Sequence, residues 1–183
     1  MPFIEQSYFR AIQEGDEKAF EALFTKHYES LVQFSASFIP DMKEDARDIV
    51  VDVFAYLWLN RSRFTIKRSL SAYLYSAVRN KTIDNLRKQN LAPVILCGGF
   101  DDLPLAGTEI ADRNLYYKET DRQIATLIEL LPTQARLIFR MNRDEGLSYE
   151  EIASVLEISV NTVKTQMYRA LRFLKKQYTA SHP

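Results

Sequence analysis

One cysteine, Cys97, stands in 183 residues, so no disulfide can close within the chain and no zinc site can be assembled on thiolates. A lone thiol fits a reducing compartment better than secretion. Glycine and proline are scarce, at five and six, too few for a low-complexity chain. Long apolar runs are missing as well. The longest uncharged, mostly apolar stretch, Leu91 to Phe100, falls far short of the roughly 18–20 residues that cross a bilayer. The opening Met1-Pro2-Phe3-Ile4-Glu5-Gln6 lacks the basic-then-apolar order of a secretory signal. These absences lead to the expectation of a cytoplasmic protein with no membrane insertion of its own. Histidine is nearly absent too: His27 suits a partly buried helix position, and His182 lies in a terminal tail. No phosphate loop of the Gly-x-x-x-x-Gly-Lys kind occurs, and neither a metal nor a cofactor is expected.

What is present is ordinary in amount and unusual in arrangement. Hydrophobic residues make up 46 % and charged residues 26 %, as in a soluble globular protein. The net charge is zero, but Met1–Leu59 carries five basic and eleven acidic residues, whereas Asn60–Lys88 carries eight basic residues against Asp84 alone. Ser159–Tyr178 has five basic residues and no acidic one. Two basic blocks in an otherwise acidic chain point to two anion-contacting surfaces. The plainer alternative is a pair of solvated helix faces.

Apolar residues recur at helical spacing almost throughout. Ala46, Ile49, Val50, Val53, Phe54, Leu57 and Trp58 form one stripe, and Ala19, Phe20, Leu23, Phe24, Tyr28 and Leu31 another. A third helix is expected over about Ser69–Lys88, with Leu70, Tyr73, Leu74, Ala77 and Val78 inward. From Leu91 the period is lost among Pro93, Gly98, Gly99, Pro104 and Gly107. A structureless loop of that length is foreign to a compact domain. The expected class is therefore all-α: two small helical domains, 1–90 and 116–183, joined by a flexible linker over 91–115. In the second domain helices are expected at about Leu115–Leu131, Thr133–Asp144, Tyr149–Glu157 and Val160–Tyr178.

The sharpest local signal begins at Gly146. Gly146 suits a left-handed helix end, and Ser148 with Glu151 forms a capping box. Ile152, Ala153 and Leu156 are expected to face inward, Ile158 fills the turn, and Ser159 caps the next helix. Val163, Met167, Ala170, Leu171 and Leu174 make that helix's buried side. Two short helices about a tight turn form a helix-turn-helix, whose second helix enters the major groove. Its open side carries Asn161, Thr162, Lys164, Thr165, Tyr168, Arg169 and Arg172, side chains able to meet base edges or phosphates. A plain helical hairpin with a basic outer face is the bland reading.

The first basic block pairs a loop, Asn60–Arg68, with the helix after it. Arg61, Arg63, Lys67 and Arg68 with Phe64 can hold a single strand by phosphate contact and stacking. Asn80, Asp84, Arg87 and Lys88 share one side of the helix. The bland reading is that Asp84 merely pairs with Arg87 or Lys88 within it.

At these residues the chain resembles the extracytoplasmic-function sigma factors. Gly15-Asp16-Glu17-Lys18-Ala19-Phe20 with Leu23, Phe24 and Tyr28 is similar to that family's opening helix, and Asp45–Phe54 with Leu57-Trp58 to its polymerase-docking helix. Tyr73-Leu74, Asn80, Asp84 and Arg87 match its reader of the element near −10. Leu131-Pro132, Arg136, Phe139, Gly146–Tyr149, Glu151–Ala153, Thr162–Lys164 and Arg169–Leu171 match its reader of the element near −35. The chain departs from the pattern at Arg47, where an acidic residue is frequent, at Val51, where glutamine is frequent, and at Tyr73, where tryptophan is common. The resemblance implies polymerase contact through Asp48, Val51, Asp52, Ala55 and Tyr56. It implies −10 contact through Arg61, Arg63, Phe64, Lys67, Arg68, Tyr73, Asn80, Lys81, Asp84, Arg87 and Lys88, with Asn80 and the loop holding a flipped base. Lys164, Thr165, Tyr168 and Arg169 would contact the upstream element. The implied partners are core RNA polymerase, promoter DNA as duplex and melted strand, and an anti-sigma factor.

Two rivals make other demands. A conventional helix-turn-helix regulator would share the C-terminal half but would act without core polymerase. A nucleic-acid enzyme would need acids converging on a metal. Asp48 and Asp52 have no such company, and Asp84 sits beside Arg87 and Lys88, so no catalytic residue is assigned.

Overall fold

The computed structural model of the chain describes residues 2–39, 43–65, 69–91 and 121–181. Among them every element is helical and no strand occurs, so the protein is all-α. The chain divides into two compact units, Met1–Ile95 and Leu96–Pro183. The linker expected over 91–115 lies, beyond Leu91, outside the described residues, as do the first residues of the helix expected from Leu115.

The first unit consists of α1 (Pro2–Gln13), α2 (Glu17–Ala36), α3 (Lys43–Asn60) with a 3-10 turn at Arg61–Arg63, and α4 (Leu70–Lys88). The three expected helices are there, and α1 is an addition. It is docked by Phe9 and Ile12, 7 % and 0 % exposed. Gly15 at φ +94° reverses the chain, a conformation only glycine adopts freely. Asp16 then caps α2, its Oδ1 accepting from the Ala19 amide at 3.1 Å. Ser69 caps α4 in the same way, accepting from the Ala72 amide at 3.2 Å.

Leu31 and Phe34 of α2, Val50, Phe54 and Leu57 of α3, and Leu74 and Val78 of α4 are buried. Each large apolar side chain so placed contributes roughly 1.5–3 kcal/mol. Phe24 meets Phe54 edge-on at 4.9 Å, and Phe34 meets Tyr75 at 4.9 Å. One polar link crosses this core: Thr82 donates to the Val78 carbonyl, and its Oγ1 lies 2.8 Å from Ser35 Oγ. His27 is buried more completely than expected, at 2 % exposure, because α2 turns that side toward the core along with Leu23 and Leu31.

The second unit consists of α5 (Asp121–Glu129), α6 (Thr133–Arg143), α7 (Tyr149–Leu156) and α8 (Val160–Ser181). Ile138, Met141, Leu147, Ile152, Val163 and Met167 are its core. Several positions expected inward are only half-buried: Leu156, Leu171 and Leu174 here, and Tyr73 and Ala77 of α4. Val155 is buried, whereas Leu156 is only half-buried. Both follow Ile152 within one turn, but Leu156 is the last helical residue before the chain swings away at Glu157, φ +56°.

Candidate nucleic-acid interfaces

In the first unit, α3 and α4 flank a cleft of about 610 Å³. Asp45, Asp48, Asp52 and Tyr56 line it from α3, and Tyr73, Asn80, Lys81, Asp84 and Lys88 from α4. The two walls differ in charge: acidic on α3, mixed and mainly basic on α4. Lys81 Nζ reaches across to Asp52 Oδ2 at 2.8 Å. Arg87 pairs with Asp84 along α4 at 3.4 Å, the within-helix bond anticipated from spacing. Gln89 bridges back to Asn85 at 3.1 Å.

An aromatic trio stands at one end. The Phe64 ring lies 6.0 Å from that of Tyr56, perpendicular to it, and 5.1 Å from that of Tyr73. Tyr73 is half-buried. Burial, and secondarily the neighbouring Tyr56, raises its phenol pKa above the usual tyrosine value, so it is a neutral donor and acceptor at physiological pH. Arg61 is engaged: its guanidinium lies 4.2 Å from the Trp58 ring centroid and donates to the Trp58 carbonyl at 2.8 Å. Such a cation over an indole face is attractive in its own right. Arg63, Asn80, Asp84, Arg87 and Lys88 are exposed, whereas Lys67 and Arg68 lie outside the described residues.

On α3 the side away from the core presents Asp48, Val51, Asp52, Ala55 and Tyr56. Val51 and Tyr56 are 46 % and 60 % exposed, and Leu59, one turn on, is 76 % exposed. Leu59 was not singled out in the sequence. Its signal was readable: an apolar residue three positions after Tyr56, on the face opposite the buried stripe.

In the second unit Gly146 takes φ +70°. Ser148 and Glu151 complete the capping box, each bonding the other's backbone N–H, at 3.2 and 2.9 Å. Three residues separate α7 from α8, and Ser159 Oγ accepts from the Thr162 amide at 3.0 Å. The Thr162 hydroxyl sits 2.8 Å from that of Ser159, so Thr162 serves the cap. Asn161, Lys164 and Arg172 are exposed, and Thr165, Tyr168 and Arg169 half-exposed. Gln166, missed in the sequence, is buried between Val163 and Ala170, with Nε2 3.3 Å from Gln134 Oε1. Glu129 binds both Arg136, at 3.0 Å, and Arg140, tying α5 to α6.

A cleft beside a basic helix in one unit and a helix-turn-helix in the other are features of a two-part DNA-binding protein, and comparison with known proteins narrows that class. Residues 23–91 match the Sigma-70 region 2 family and residues 121–174 the Sigma-70, region 4 family. The chain is 29 % identical to the ECF RNA polymerase sigma factor SigW of Bacillus subtilis (strain 168) over 181 residues, 92 % of this chain and 93 % of that one. It is 27 % identical to the ECF RNA polymerase sigma-E factor of Escherichia coli (strain K12) over 173 residues, covering 91 % and 90 %. The fold is similar to that of CnrH in complex with the cytosolic domain of CnrY, with TM-score 0.50 and 23 % identity over 96 % of this chain and 97 % of that one. The chain belongs to the sigma-70 family, in its extracytoplasmic-function group. It is an alternative sigma factor and acts in transcription initiation with core RNA polymerase. Sigma factors as a class are non-enzymatic initiation factors. No helix among the described residues is long and apolar enough to cross a membrane.

Proposed function

We propose that residues 1–90 dock on core polymerase and read the −10 element, that 116–183 read the −35 element, and that 91–115 link them. Asp48, Val51, Asp52, Ala55 and Tyr56 form the polymerase contact. Their support is a continuous stripe on α3 that combines carboxylates with the exposed Val51, Tyr56 and Leu59. An anti-sigma factor acts by covering that same stripe. Phe64, Tyr73 and Asn80 receive an unstacked base of the melted strand. Arg63, Lys67, Arg68, Lys81, Arg87 and Lys88 bind its backbone, Asp84 orients Arg87, and Arg61 braces the loop from Trp58. In α8, Asn161, Lys164, Thr165, Tyr168, Arg169 and Arg172 meet the upstream duplex, with Thr162 at the cap. The protein works in the cytoplasm and carries out no chemistry of its own.

The observation that carries this reading is the aromatic trio at one end of a cleft whose lining includes Asn80. Asn offers donor and acceptor to one base edge, and ring faces hold a base of any identity. A conventional helix-turn-helix regulator has no use for such a cleft. Run-off transcription from a promoter library, with core polymerase and with or without this protein, tests it. Promoter-specific transcripts that appear only with both proteins are expected. Sequence-specific DNA binding without any effect on core polymerase would favour the regulator.

A further inference from the structure

Gln13 is the last residue of α1. Its Nε2 donates to the Phe64 carbonyl at 2.8 Å, joining residues 51 positions apart. The helix behind it is fixed. Phe9 and Ile12 are buried, and Tyr8 donates to the Ala19 carbonyl at 2.8 Å. The turn after it packs on the same segment, since a Cβ on Gly15 would sit 3.7 Å from Arg61 Nη2. Phe64 is thus held twice, by its carbonyl from α1 and by its ring between Tyr56 and Tyr73.

We infer that Gln13 is a positioning residue for strand capture: it presets Phe64, and through it the aromatic end of the cleft, before DNA arrives. The inference rests on the strand-capture reading above. A binding residue already in its bound conformation loses less freedom on association, so restraint in the free protein appears as affinity. Gln13 is placed to act without touching the strand, because its amide is spent on the backbone of a residue that does.

The test uses the full chain in complex with core polymerase. The probe is a fluorescent single-stranded oligonucleotide copied from the melted segment of a promoter recovered by run-off selection. Loss of one neutral hydrogen bond should weaken oligonucleotide binding about three- to tenfold in Gln13→Ala. Gln13→Glu keeps the length but cannot donate when ionised, and it should lose as much. In Gln13→Ala, core affinity and the salt slope of oligonucleotide binding should stay as in the parent, since that variant changes no charge. The double variant Gln13→Ala/Phe64→Ala should bind no more weakly than Phe64→Ala alone, because one residue acts through the other. Additive losses, or normal binding in Gln13→Ala beside a defect in Phe64→Ala, overturn the inference. Normal binding in Phe64→Ala removes the strand-capture reading and the inference with it.

Discussion

Lys81 Nζ sits 2.8 Å from Asp52 Oδ2, joining the helix assigned to the melted strand to the helix assigned to polymerase. Both side chains remain well exposed, 43 % and 61 %. A pair this wet is worth little to the fold, about 0–1 kcal/mol. Lys81→Ala should therefore change unfolding free energy by less than about 1 kcal/mol. It should also weaken promoter binding on all sequences alike, with the salt slope lowered by about one. Chemical denaturation and binding at several salt concentrations measure the two effects. A large stability loss with an unchanged slope would make the pair a structural tie.

The acidic side of α3 makes a separate prediction. Asp48 and Asp52 are exposed while Val50, Phe54 and Leu57 are buried, so charge reversal at the two aspartates need not disturb packing. Asp48→Arg with Asp52→Arg should abolish co-purification with core polymerase and leave helix content by circular dichroism unchanged. Undiminished core binding would move the docking surface elsewhere.

For α8, base contacts and phosphate contacts part company. A base-reading side chain should cost about 1–3 kcal/mol when truncated and relax preference at one position. A phosphate contact should weaken every sequence equally and lower the salt slope by about one. Lys164→Ala and Arg169→Ala, measured on a panel of single-base promoter variants, sort the residues into these two kinds. No change in affinity or preference in either would mean that the recognition surface is misplaced.

The turn before α7 separates space from conformation. Nothing lies within 4 Å of a Cβ built on Gly146, yet its φ is +70°. Gly146→Ala should still destabilise the second unit, by more than about 0.4–1 kcal/mol. Ser148→Ala, which opens the capping box, should cost about 0.5–2 kcal/mol. Equilibrium unfolding checks both, and a neutral Gly146→Ala would show that the backbone relaxes there.

The legible parts were the local ones. The stripe from Ala46 to Trp58 repeats at helical period, and the Ser148–Glu151 box closes within four residues, so neither needs tertiary information. α1 was harder to see because Phe9 and Ile12, its buried residues among those whose side chains are described, make only a short pattern. Spacing offered Asp84 a partner in Arg87 or Lys88, and the pair formed is with Arg87. No spacing could predict that Lys81 turns to Asp52 or that Gln13 reaches Phe64. Long side chains choose partners only after the helices pack, so the sites could be read as surfaces but not as bonds.

The strand-capture step separates a sigma factor from an ordinary DNA-binding protein, and it gives the last prediction. Opening a duplex costs free energy, and a protein that holds the open strand returns part of it through stacking and backbone contact. Asn80 is exposed on the cleft wall of α4, and Phe64 stands between Tyr56 and Tyr73. On the strand-capture reading, neither contacts the promoter while it is still a closed duplex. Asn80→Ala and Phe64→Ala should therefore leave initial duplex binding near the parent value and reduce promoter opening. Because a mismatched segment removes the cost of unpairing, both variants should recover on a template pre-melted over that segment. Permanganate reactivity of unpaired thymines on matched and mismatched templates reads this difference directly. Equal defects on the two templates would make the basic block a general electrostatic patch, and normal opening in both variants would remove the cleft from the mechanism.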